Sequence, residues 1–271
     1  MIKTNSFSCY QVDAFAERIF EGNPAAVVPL DFWLDNEVMQ KIAKENNLSE
    51  TAFFIPINAD DNEYQLRWFT PEVEVNLCGH ATLASAYVLF NLLEIQGDYI
   101  RFQSRSGMLE VRRKGELYWL NFPSMSYDEA TVDSNIVEAM GIAPSKVYTS
   151  DDDWLLLYDT EEQVKSLKPD MSLLREFPAR GIIATSSAEN YDAISRFFAP
   201  SVGIDEDYVT GSSFTKLIPF WSEKLEKDEL YFYQASARGG VIFGKNMGDR
   251  VEIGGKAKLF SKGKFYINGE E

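Results

Sequence analysis

Histidine occurs once in the 271 residues, at His80, and cysteine only twice, at Cys9 and Cys78. Two Cys and one His in this spacing assemble neither a disulfide framework nor a zinc site. Basic residues are also scarce. The 26 Lys and Arg stand against 42 Asp and Glu, for a net charge of −16. Neutralising nucleic-acid phosphates requires clustered cations, so nucleic acid is excluded as a partner. Long apolar runs are lacking as well, since no window reaches the ~18 residues of a membrane span. The opening MIKTNSFSCYQVDAF does not follow a basic segment with an apolar one, as a signal peptide would. The expectation is a soluble, cytoplasmic protein with no membrane partner.

What the chain does have is core material, with 45% hydrophobic residues and 14% aromatic ones. One stretch organises it, Arg67 to Phe90, RWFTPEVEVNLCGHATLASAYVLF. A strand ends at Phe69, Pro71 turns the chain, Val73, Val75 and Leu77 alternate as a short apolar run, and Cys78-Gly79-His80 opens a helix. That helix is small or apolar nearly all round, the pattern of burial on every side. Its start is therefore indoors, with backbone N–H groups that have no partner inside the helix and that suit an anionic or carbonyl ligand.

The stretch recurs as RFFAPSVGIDEDYVTGSSFTKLIPFW, from Arg196 to Trp221, with its helix starting at Gly211. Phe69 to Gly79 is ten positions and Phe198 to Gly211 thirteen, which reads as three extra residues just before the second glycine. Gln103 to Gly107 is answered by Gln234 to Gly240 in the same order. Ordered matches at an offset of about half the chain indicate an internal duplication. The expected division is residues 1–127 and 128–271, with polar Pro123–Ala130 as linker and the last strand free to return to the first domain. Duplicated units of this kind pack with pseudo-two-fold symmetry. The Gly79 and Gly211 helix starts would then face each other across a cleft, where small ligands tend to sit.

Several side chains are candidates for chemistry. His80 follows the glycine of a buried helix start, and the positive end of the helix dipole there favours the neutral imidazole. Glu50, in Leu48-Ser49-Glu50-Thr51, reads either as an exposed charge at a strand mouth or as an acid pointing into the cleft. Asp205, Glu206 and Asp207 fall in the apparent insertion, with Asp207 four positions before Gly211, and Ser212 matches His80. Cys78 reads as a small buried apolar residue, and Thr210 opposite it rules against a two-thiol mechanism. Asp151-Asp152-Asp153 reads as a solvated loop. A carboxylic acid, an imidazole, a carboxylate and two sets of backbone donors suit moving a proton at a carbon beside a carboxylate or carbonyl.

The segments VDAFAERIFEGNPAAVVPL, NNLSETAFFIP, NLCGHATLASAYVL, DEDYVTGSS and QASARGG resemble those of the PhzF-like family of phenazine biosynthesis, over essentially the whole chain. The resemblance implies the α+β fold of diaminopimelate epimerase and proline racemase: two similar domains, each a curled, mostly antiparallel sheet or barrel wrapped round a central helix. It also implies a homodimer and an isomerase working without metal or organic cofactor on a small carboxylate-bearing metabolite. By motif, Glu50 matches the proton-shuttling glutamate, while His80, Asp207, Ser212 and the Gly79 and Gly211 helix starts match substrate-binding positions. Two residues depart from the family pattern. Tyr208 stands where the family often has proline, and Phe214 where it has a polar residue, so the pocket is expected to be more apolar or differently shaped. Two other readings stand beside the isomerase: a non-catalytic metabolite- or protein-binding member, which Tyr208 and Phe214 favour, and an epimerase or racemase. The racemase needs a second acid/base opposite Glu50, and the region near Arg180 and Gly181 supplies none.

Overall fold

The structure is a computed structural model that describes residues 4–58, 61–150 and 153–268. It divides into two compact units, one formed by the chain up to Asn121 and from Gly255 onward, the other by Phe122–Gly254. The division falls before the expected 127/128 boundary for a physical reason: the stretch after Pro123 is not a slack linker. Ser124 N donates to Asp249 O at 2.9 Å and Met125 N to Thr215 O at 3.0 Å, both within the second unit.

In the first unit, β1 (Thr4–Ala14), β2 (Asn23–Pro29), β3 (Glu50–Asn58), β4 (Glu63–Phe69), β5 (Glu74–Val75), β6 (Tyr99–Ser104), β7 (Gly107–Lys114) and β8 (Leu117–Pro123) come in chain order. The second unit holds β9 (Asp128–Ala130), β10 (Lys146–Ser150), β11 (Asp153–Leu157), β12 (Gly181–Ser187), β13 (Ala193–Ala199), β14 (Ile204–Asp207), β15 (Glu229–Gln234), β16 (Gly240–Asn246) and β17 (Arg250–Gly255). β18 (Ala257–Asn268) closes the described chain and pairs antiparallel with β1 along its length, which returns it to the first unit. Helices α1 (Asn36–Asn46) and α2 (Gly79–Asn91) belong to the first unit. The second has α3 (Ser134–Met140), α4 (Glu161–Ser166), α5 (Met171–Arg175) and α6 (Gly211–Leu225).

Each sheet follows one programme. β2 runs parallel to β3, β3 antiparallel to β4, β4 antiparallel to β5 and parallel to β6, and β6 antiparallel to β7. β11, β12, β13, β14, β15 and β16 repeat those relations in the same order. The first sheet must curl. α2 packs against β1, β2, β3, β7 and β18, yet strands spaced ~4.8 Å apart would carry those edges well beyond a helix only ~10 Å wide if the sheet were flat. α2 accordingly buries His80 to Ala86 and Val88 to Phe90. On its outer side α1 adds Met39 and Ala43 to a cluster with Val28, Leu30, Phe53 and Phe69. Asn47, at φ 49°, ends α1 in the left-handed conformation that asparagine tolerates.

Register makes the duplication exact in detail. Thr51 faces Phe69 and Phe53 faces Arg67, while Ile182 faces Phe198 and Ala184 faces Arg196. Aligning the two Arg-aromatic-Phe motifs therefore sets Glu50 against Gly181. Val75 faces Trp68 and Asp207 faces Phe197, which sets Glu74 against Glu206. The three extra residues thus lie upstream of Glu206, in the 3₁₀ turn Pro200–Val202, and not just before Gly211 as the sequence spacing indicated. The apolar run before α2 is also shorter than expected: only Glu74–Val75 is strand, and Val73 and Leu77 are exposed.

The repeated arginine explains its own recurrence. Arg67 donates to both carboxylate oxygens of Glu74, at 2.8 and 2.9 Å, and lies over the Phe69 ring. Arg196 does the same with Glu206, at 2.7 and 2.9 Å, and lies over Phe198. In both units the fork staples the strand before the turn to the strand after it, fixing the approach to the helix start.

Candidate active site

In the first unit Cys78 precedes α2 with an extended backbone, φ −147° and ψ 108°, and its side chain does not cap the helix. Thr82 binds back to it instead, N to O at 3.1 Å and Oγ1 to O at 2.6 Å. His80 on the first turn is buried, and its Nε2 lies 3.0 Å from Glu50 Oε2, the first residue of β3. The Glu50 side chain is 13% exposed, so it is not a solvent-facing charge at the strand mouth. The contact is at ion-pair distance without hydrogen-bond alignment, and Glu50 Oε2 is a buried oxygen with no hydrogen-bond donor. Cys78 Sγ also lies against the ring, 3.5 Å from His80 Nδ1 and 4.0 Å from Nε2.

These neighbours correct the expectation for His80. Burial alone pushes the imidazole down, but contact with Cys78 and Glu50 outweighs it, and the pKa is raised well above 6.5. The helix dipole that led to the opposite expectation is worth only about 0.3–1 kcal/mol, less than a carboxylate at 3.0 Å in a site with little water. Burial, with Glu50 adding to it, pushes the Cys78 thiol up to about 11. That sulfur is therefore a neutral thiol and a poor nucleophile.

In the second unit Thr210 precedes Gly211 with a similarly extended backbone and no side-chain cap. Thr210 Oγ1 donates to Asp207 Oδ2 at 2.6 Å. Fully buried Gln234 ties the two together, accepting from Thr210 N at 2.9 Å and donating from Nε2 to Asp207 O at 2.9 Å. Ser212 Oγ accepts from Arg180 Nη2 at 3.2 Å. Phe214 is wholly buried and packs edge-on against Phe232 inside the second unit's core. Tyr208, at the other departure from the family pattern, stacks with Arg238 and accepts at its carbonyl from Ser236 Oγ.

Sequence reasoning missed a buried charge cluster. Asp153 was assigned to a solvated loop, but its side chain is 0% exposed and accepts from Lys216 Nζ at 2.7 Å and Arg180 Nε at 3.0 Å; Asp151 and Asp152 lie outside the described residues. The signal available was Lys216 itself, a buried cation in the apolar first half of α6, which demands a carboxylate. A second omission is the donor set Glu50, Cys78 and His80, whose ligand atoms all lie within 4.8 Å of one another. Counting Cys and His excluded such a set because the third donor is a carboxylate from another strand.

The family described as phenazine biosynthesis-like protein, PhzC-PhzF, matches residues 12–263. An uncharacterised isomerase of Pseudomonas aeruginosa is 46% identical over 258 residues, covering 95% of this chain and 98% of that protein. The human phenazine biosynthesis-like domain-containing protein is 38% identical, covering 93% of this chain and 96% of its own. Among solved structures, a PhzF family protein of Enterococcus faecalis superposes with TM-score 0.94 at 44% identity, covering 97% of this chain and 100% of that one. A hydroxyproline epimerase from Agrobacterium vitis, at 9% identity and TM-score 0.63 over 99% and 95% of the two chains, shares the fold alone. Motif order, duplicated topology and these likenesses over nearly the full length agree: the chain belongs to the PhzF-like isomerase family.

Proposed function

We propose that the protein is a one-base isomerase in which Glu50 carries a proton between two carbons of a small carboxylate-bearing metabolite. A carboxylate oxygen of Glu50 takes the proton from a carbon beside a carboxylate or carbonyl, leaving an enolate-like anion. The same group then delivers the proton to a second carbon, so the substrate is isomerised and Glu50 is regenerated. Charge on the anion is met by backbone N–H groups of the first turn of α2, at Gly79, and by His80, whose raised pKa makes it a cationic donor. The substrate-orienting roles of Asp207, Gly211 and Ser212 rest on the family resemblance, which also implies that no metal or organic cofactor is needed.

The observation that carries this reading is the asymmetry of the repeat. A racemase of the two-base kind needs an acid in each half, and the register equivalent of Glu50 is Gly181. A side chain there has no room, since its Cβ would lie 2.2 Å from Phe197 Cζ. The binding-only alternative rests on Tyr208 and Phe214, and burial of the Phe214 ring in the core counts against the second of them. The test is solvent-deuterium incorporation into cyclic and amino-acid-derived carboxylates, followed by NMR. Glu50→Gln should reduce exchange by at least about 10²-fold while binding stays measurable. Unchanged exchange in Glu50→Gln would dismiss the role of Glu50.

A further inference from the structure

The geometry points to a second use of the same three side chains: Glu50, Cys78 and His80 form a capture site for a soft divalent cation, zinc above all, and occupancy holds the protein in an inhibited state. Three kinds of donor, a carboxylate, a thiol and an imidazole, come together within 4.8 Å. Zinc takes all three in tetrahedral sites, at about 2.0–2.3 Å, which places neighbouring donors about 3.4–3.6 Å apart. Here Nε2 of His80 lies 3.0 Å from Glu50 Oε2 and 4.0 Å from Cys78 Sγ. Those two edges need adjustments of about half an ångström, and the Glu50–Cys78 edge, within 4.8 Å, needs up to about 1.2 Å of closure by side-chain rotation to reach the tetrahedral value.

Charge and hydrogen bonding favour occupancy. As the metal–sulfur bond forms, the Cys78 proton leaves to solvent, and the imidazole gives up its extra proton in the same way. Thiolate and carboxylate then neutralise a divalent cation, so the buried cluster carries no net charge, where an unbalanced buried ion is costly. Glu50 Oε2, buried with no hydrogen-bond donor, gains a Lewis acid. A thiolate and an imidazole select zinc-like ions over magnesium or calcium, which prefer oxygen. Three protein donors leave one tetrahedral position for water or an incoming carboxylate. An occupied Glu50 cannot accept a carbon-bound proton, so binding and proton transfer exclude each other.

Cobalt(II) is the probe, because a thiolate on cobalt gives a near-ultraviolet charge-transfer band that needs no turnover. Titration of the chelator-treated full-length protein should show the band saturating at one equivalent in the wild type and in Cys9→Ala, and zinc should abolish it. Cys78→Ala should lose the band with unchanged far-UV circular dichroism; Cys78→Ser replaces it where the alanine variant does not fold. Glu50→Gln should weaken cobalt binding by about tenfold or more, at least what removal of a supporting group costs. A wild type without the band, a band that persists in the folded Cys78 variant, or an affinity untouched by Glu50→Gln overturns the inference. Because the readout is spectroscopic, its failure leaves the one-base isomerase standing, and failure of deuterium exchange leaves the metal site standing.

Discussion

Gly181 stands in the second unit at the register position that Glu50 holds in the first. Its missing side chain is a packing requirement. An added Cβ would meet Phe197 Cζ at 2.2 Å, Phe197 Cε2 at 2.5 Å and Asp153 Oδ1 at 3.0 Å, and Phe197 is itself buried. Gly181→Ala should therefore cost about 1–3 kcal/mol, the usual range for overpacking, measured by urea denaturation. Gly181→Glu should cost more, so a second base cannot simply be installed. Wild-type stability in Gly181→Ala would show that Phe197 yields freely and that the site is not sterically closed to an acid.

The buried cluster behind Gly181 gives an ordering of losses. Asp153→Asn leaves the Lys216 ammonium, 5% exposed, beside a neutral amide, and stranding a buried charge costs about 3–5 kcal/mol. Lys216→Met removes the cation but leaves Asp153 with Arg180, which is 32% exposed and holds it through Nε at 3.0 Å. Its loss should be clearly smaller. Equal losses, or the reverse order in denaturation midpoints at constant m, would contradict the assignment of Asp153 as the hub.

Most of the architecture was legible in the sequence because the repeat restates it. A buried helix opening on glycine, preceded by Arg-aromatic-Phe-x-Pro, occurs twice, and the strands of each half follow the same alternation. What was not legible depends on pairing between segments far apart in the chain. Spacing alone located the three extra residues beside Gly211, and only the ladder of β13 with β14 moves them to the Pro200 turn. Asp153 looks like the end of an acidic run until its partners on α6 and before β12 are known. The helix that His80 begins favours a neutral ring, whereas contact with Cys78 beside it and with Glu50 from another strand raises its pKa. The roles of Glu50, Asp207 and Ser212 came from motif likeness, which geometry within either unit does not replace.

The raised pKa of His80 links stability to pH with a definite sign. A group whose folded pKa lies above its unfolded value stabilises fully below the unfolded value and loses that contribution as pH rises through the folded one. For His80 the contribution is whole below 6.5 and declines above it. Because His80 is the only histidine, subtracting the profile of His80→Gln from that of the wild type isolates the effect. Denaturation from about pH 6 to about pH 9 should show the wild-type advantage shrinking as pH rises. An advantage that grows with pH would mean the ring is neutral and would restore the helix-dipole expectation.

The duplicated arginine staple makes the last comparison, since equal motifs need not carry equal weight. Replacing either arginine by lysine keeps the charge but removes the fork and the flat contact with phenylalanine, together worth about 1–2 kcal/mol. Glu74 has a second cation, Arg105 Nη2 at 2.7 Å, so it stays partnered in Arg67→Lys. Both arginines have a further duty: Arg67 donates from Nη2 to Asn36 Oδ1 at 2.8 Å, an exposed contact, and lies over Trp33, while Arg196 donates from Nη1 to Leu167 O at 2.7 Å and Val164 O at 3.3 Å, where it satisfies part-buried carbonyls at the end of α4. Arg196→Lys should therefore be the more destabilising of the two, and with no partner in common the double variant should equal the sum within about 0.5 kcal/mol. A larger loss from Arg67→Lys would mean that Arg105, whose side chain is 53% exposed, contributes little. The staple of the first unit would then depend on Arg67 alone.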